Sequence, residues 1–126
     1  MTNKELEYHK AYVKMAKVWS SLSKSKRNSV GALIVKDGMI ISDGFNGTPT
    51  GFPNDCEDLD GSTHWYVLHA EANAILKCAK HGIGCKGATL YLTLSPCKEC
   101  SKLIIQSSIK RVVYVDNYRD LDGLKM

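Results

Sequence analysis

Apolar and polar positions follow three different rhythms along the chain. Near the start, Tyr8, Tyr12, Met15, Trp19 and Leu22 recur at intervals of four and three, one stripe of a helix that is expected to face a core. Thr2 and Glu5 precede them in capping-box spacing. Two strand-like runs follow at 30–35 and 39–45, joined by Lys36-Asp37-Gly38, and Asp-Gly between such runs predicts a tight hairpin. From 46 to 67 the periodicity is lost in a stretch rich in Gly, Pro, Ser and Thr, and a loop of that length in a small domain is usually functional or disordered. The alanine-rich segment 69–82 then reads as a helix closed by Gly82. A strand is expected over 88–94 and a helix over 97–108, started by Ser95 and Pro96. The run 111–115 is expected to be a buried strand. Strand–helix–strand implies a parallel right-handed crossover. The fold class is therefore α/β, a mixed central sheet of four to five strands flanked by helices as an α-β-α sandwich, in one domain over 1–126.

Composition narrows the function classes. With 44% hydrophobic and 24% charged residues, the chain is an ordinary globular one. No apolar run approaches the roughly 20 residues of a membrane span, and the polar start lacks a signal-peptide core, so the cytoplasm is the expected compartment. Five cysteines cannot all pair within one chain, which argues against a disulfide framework. The net charge of +4 has one dense cluster, Lys24-Ser25-Lys26-Arg27. That is too narrow for a nucleic-acid polymer, and it reads either as a solvated basic face or as cations meeting a single phosphate.

Cys97 and Cys100 fall three residues apart at a helix start, with both sulfurs on one side and the helix dipole favouring thiolates. Taken alone, the pair fits a zinc site, a redox dithiol or two packed thiols. His69 opens another helix directly after the long loop, with Glu71 two residues on. Three such ligands converging at the carboxyl edge of the sheet would leave a fourth position for water, the mark of a catalytic zinc rather than a structural one. A carboxylate beside that water has a task as general acid and base. Glu71 otherwise reads as a helix-stabilising first-turn acid.

The residues His69-Ala70-Glu71 and Pro96-Cys97-Lys98-Glu99-Cys100 resemble the zinc-deaminase signature. Over nearly its whole length, including 30–38, 43–53 and 86–114, the chain resembles the deoxycytidylate (dCMP) deaminase family of the cytidine/deoxycytidylate deaminase superfamily. The resemblance implies hydrolysis of dCMP to dUMP and ammonia by a zinc-activated hydroxide attacking C4, supplying dUMP for thymidylate synthesis. It makes His69, Cys97 and Cys100 the zinc ligands, and Glu71 the proton carrier to N3 and the departing amine. It places the Ala70 N–H on the ring carbonyl, the Ser95 carbonyl on the amine, Asn46 on the sugar, Arg27 on the phosphate and Tyr118 near the base. It also implies a homo-oligomer, commonly a hexamer, regulated by dCTP and dTTP, with Mg2+ accompanying the allosteric nucleotide. Relatives usually carry glycine at the position of Ser108, in a left-handed turn.

Competing readings are a related zinc deaminase acting on tRNA adenosine, a nucleoside or a free base; a non-catalytic zinc module; and a redox protein. Cys56 and His64 are too few for a second structural zinc. Cys78 and Cys85 read as buried small hydrophobes.

Overall fold

In the computed structural model, which describes residues 1–116, helix α1 runs Asn3–Ser20, and the Thr2 hydroxyl accepts the Glu5 N–H at 3.1 Å. Its packed stripe is rotated from the one the aromatic spacing predicts. Ala16 is buried and Tyr12 and Val13 pack beside it, whereas Tyr8, Met15 and Leu22 are exposed. The cause is a close approach: Gly31 opens the first strand beneath α1, and a Cβ there would collide with the Ala16 carbonyl oxygen. Only a small helix residue fits such a contact, so the large ones fall to its sides.

Strands β1 (Gly31–Lys36) and β2 (Met39–Phe45) pair antiparallel through Asp37 and Gly38, whose φ angles are 51° and 75°. Positive φ at both central residues marks the primed turn whose twist matches a hairpin. β1 pairs antiparallel with β3 (Thr89–Leu94), and β3 pairs parallel with β4 (Arg111–Asp116), giving the order β2-β1-β3-β4. Over the described residues the sheet is mixed and four-stranded, within the expected range. Among the described residues no helix is long and apolar enough to cross a membrane.

Two apolar layers follow from the period-two alternation of β1 and β3. Leu33, Val35 and Tyr91 face Ala16 of α1. Ala32, Ile34, Leu90 and Leu92 face Ala74 and Cys78 of α2 (Ala70–Lys80) and Ile104 of α3 (Lys98–Gln106). Cys78 and Cys85 are buried in that second layer, as expected, and all five cysteines are free thiols. β4 departs from expectation: its side chains are exposed or half-buried, because it forms an edge of the described sheet and its rows are incompletely covered. Ser108 does adopt the left-handed conformation, with φ of 64°.

The consequence for function is directional. β2, β3 and β4 run one way and β1 the other, so the carboxyl ends of β2 and β3 share one edge with the entry into α2 and α3. Open α/β sheets place their ligands at such an edge.

Candidate metal centre and active site

The long loop is tethered at its ends and its middle. Gly47 and Leu68 exchange backbone hydrogen bonds of 3.1 and 2.8 Å, and Glu57 bridges to Thr63. The first pair delivers the chain to His69, which is the N-cap of α2 but caps nothing with its side chain. Its imidazole turns instead toward α3, with Nδ1 at 3.3 Å from Cys100 Sγ and 3.5 Å from Cys97 Sγ. Cys97 is the N-cap of α3, and its sulfur accepts the Cys100 N–H at 3.5 Å. A sulfur in that place is favoured as thiolate by the helix's unpaired N–H groups.

The ligating atoms of His69, Cys97 and Cys100 all lie within 4.8 Å of one another, and no other group of three His, Cys, Asp or Glu residues is so placed among the described residues. Tetrahedral zinc with its usual bonds to sulfur and nitrogen separates such ligands by about 3.6 Å, close to the two distances seen here. The donor set also suits zinc electrostatically. Hydrogen bonds from the Cys100 thiol and from His69 bring the Cys97 thiol down to about 4. The same Cys97 sulfur, together with burial, holds Cys100 protonated well above the ordinary thiol range. The Cys97 hydrogen bond also raises His69. Cys97 is thus the thiolate of the cluster with Cys100 still protonated, and a divalent cation binding there would displace the Cys100 proton.

Glu71, in the first turn of α2, is only 4% exposed. Burial pushes its carboxyl above the usual range, opposed by its own backbone N–H and by His69. Beside the cluster lies a pocket of about 460 Å³, lined in part by Arg27, Asn46, His69, Ala70, Glu71 and Ser95. The sequence-derived residues are therefore brought to one place, except Tyr118, which lies outside the described residues. Ala70 and Ser95 are buried in the wall, and the Ser95 N–H is tied to the Asp116 carbonyl at 2.8 Å.

Asn46 has more partners than its expected sugar contact supplies. Its Oδ1 accepts the Val30 N–H at 2.8 Å and its Nδ2 donates to the Asn28 carbonyl at 2.7 Å. One amide hydrogen and one lone pair remain for a ligand. Asn28, Thr63 and Val67 also line the pocket, and sequence reading did not single them out. Their segments are aperiodic, so nothing in the pattern separates lining from loop.

The pattern of the cytidine and deoxycytidylate deaminase zinc-binding region matches residues 6–116. A probable deoxycytidylate deaminase of Caenorhabditis elegans is 40% identical, over 95% of this chain and 63% of its own length. The human deoxycytidylate deaminase is 37% identical over 93% of this chain and 70% of its own. The chain thus spans about two thirds of these relatives. The crystal structure of the cyanophage S-TIM5 dCMP deaminase in complex with dCMP and dUMP superposes with a TM-score of 0.93, at 47% identity, covering 99% of this chain and 90% of that one. A zinc-compatible cluster, a buried carboxyl beside it and a family match over nearly the whole chain agree, and the chain belongs to the cytidine and deoxycytidylate deaminase family.

Proposed function

We propose that this protein hydrolyses dCMP to dUMP and ammonia, with His69, Cys97 and Cys100 holding one zinc ion. The observation that carries the reading is the placement of buried Glu71 beside the His–Cys–Cys cluster at the floor of a nucleotide-sized pocket. Its likeness to the phage enzyme crystallised with dCMP and dUMP supports the substrate. Zinc, when bound, supplies a Lewis acid able to lower a water's pKa from 15.7 to about 7.

The protein's own groups do the rest. Glu71 takes a proton from water, gives it to N3 of the ring and carries the next to the departing amine. The C4–O bond forms as N3 is protonated. The new C4 hydroxyl then yields its proton through Glu71 to the amine, the C4–N bond breaks, ammonia leaves and the carboxylate is regenerated. The Ala70 N–H donates to the ring carbonyl, and the Ser95 carbonyl accepts from the 4-amino group, so the base is read by backbone at two buried wall positions. Asn46 offers its remaining amide hydrogen to the sugar, and Arg27, exposed at the rim, meets the phosphate. The same reading extends to a cytoplasmic homo-oligomer, hexameric and regulated by dCTP and dTTP.

Incubating the zinc-loaded protein with equal dCMP, CMP and deoxycytidine tests the proposal. Preferred formation of dUMP is expected. Equal turnover of deoxycytidine would remove the phosphate contact, and no deaminated product from any of the three would overturn the assignment.

A further inference from the structure

Residues 21–30 join α1 to β1 without regular structure, yet they carry Arg27 and Asn28 to the pocket rim. Two contacts fix them. One is the Asn46 amide, which holds Asn28 and Val30, while the Asn46 carbonyl accepts the Ser23 hydroxyl at 2.8 Å. The other is Glu57, from the long loop. Its Oε1 and Oε2 accept the Lys26 N–H at 3.1 and 3.2 Å, and its Oε2 accepts the Ser25 hydroxyl at 3.0 Å, directly beside Arg27 in the chain. Glu57 does not line the pocket; it borders the adjoining cleft with Lys24, Lys26 and His64. Its backbone is anchored in turn by the bridge to Thr63, which does line the pocket.

A carboxylate that gathers a backbone N–H through both its oxygens together with the preceding residue's hydroxyl fixes the turn presenting them, because each bond is charge-assisted. Arg27 is the residue whose geometry that turn sets. A guanidinium recognises phosphate through a planar fork, so its usefulness depends on the orientation of its backbone. An unclasped, irregular segment would have to be ordered each time substrate bound.

We propose that Glu57 is a positioning residue for nucleotide specificity: by clasping the 25–27 turn, it holds Arg27 where the guanidinium meets the substrate's 5′-phosphate. This rests on the reading of dCMP as substrate and Arg27 as its phosphate contact.

Steady-state kinetics on dCMP and deoxycytidine for the zinc-loaded protein, Glu57→Ala, Glu57→Gln, Arg27→Ala and the Arg27→Ala/Glu57→Ala double variant test it, with melting temperatures recorded for each. Glu57→Ala is expected to raise KM for dCMP about tenfold with kcat and deoxycytidine turnover little changed, the signature of lost binding rather than lost chemistry. Glu57→Gln, which keeps an acceptor oxygen, is expected to recover part of that loss. In the Arg27→Ala background, Glu57→Ala is expected to add less than about twofold, because residues acting through one another are not additive.

Additive effects, an unchanged KM in Glu57→Ala, or a lowered KM from relieved repulsion of the phosphate would each overturn the proposal while leaving the dCMP reading intact. Equal kcat/KM for dCMP and deoxycytidine in the unmutated protein would instead defeat the phosphate reading beneath it, and the proposal with it.

Discussion

Gly44 lies in β2 directly under the first turn of α2, and replacing it with alanine probes how the sheet sets the active site. A methyl group there would sit 2.8 Å from Ala74 N and nearer still to the Ala70 carbonyl oxygen. Ordinary contact begins at about 3.4 Å, and both neighbours are backbone atoms that cannot rotate away. The helix must therefore retreat by about 0.6 Å or more, and it retreats at the end that carries His69, Ala70 and Glu71. Overpacking of this kind costs about 1–3 kcal/mol. At about 4 °C per kcal/mol for a domain of this size, Gly44→Ala should melt about 4–12 °C lower. A displacement approaching 1 Å at reacting groups costs up to about 100-fold in rate, so kcat should fall well beyond what the melting shift explains at 25 °C. Differential scanning fluorimetry and deamination kinetics on the same samples measure both. A variant that melts within about 1 °C of the parent and keeps full kcat would refute the claim that the β2–α2 contact fixes the site.

Further outcomes follow from the backbone and from the loop. Ser108→Gly should stabilise the protein by up to about 1 kcal/mol, since the left-handed φ of 64° strains a residue with a Cβ; chemical denaturation measures it, and a destabilised variant would contradict the strain. Glu57 is held below its ordinary value of 4.5, first by the Lys26 N–H. Its folded pKa is depressed, so the clasp contributes above about pH 4.5 and is lost as pH falls through the folded value. The amide resonance of Lys26 should then titrate with a midpoint below 4.5, and a midpoint at or above that value would count against the clasp.

The fold was legible wherever one local signal sufficed. The Asp37-Gly38 turn, the Thr2 cap and the alternation of helix and strand all emerged from short-range chemistry. The stripe of α1 was misplaced because its true packing face is chosen by Gly31, a residue outside the helix, and β4 was misjudged because its β-branched character does not reveal how many neighbours a strand has. The metal-ligand candidates were legible because thiols and imidazole at helix starts have few competing explanations in combination. Glu57 was not, since an acid in an aperiodic acidic stretch looks the same whether it is solvated or clasps a distant turn. Asn46 was singled out, but its double role in holding Asn28 and Val30 depends on a contact between separate segments.

The central claim is that His69, Cys97 and Cys100 hold zinc while Glu71 moves the proton. The most direct measurement pairs zinc content with dUMP formation in Glu71→Gln, a substitution that keeps shape and removes the titrating group. The prediction is one zinc per chain, as in the parent, with kcat reduced by about 10²–10⁴. A variant that retains both its zinc and its dCMP turnover would contradict the assignment of Glu71, and a parent protein that binds no zinc would contradict the centre itself.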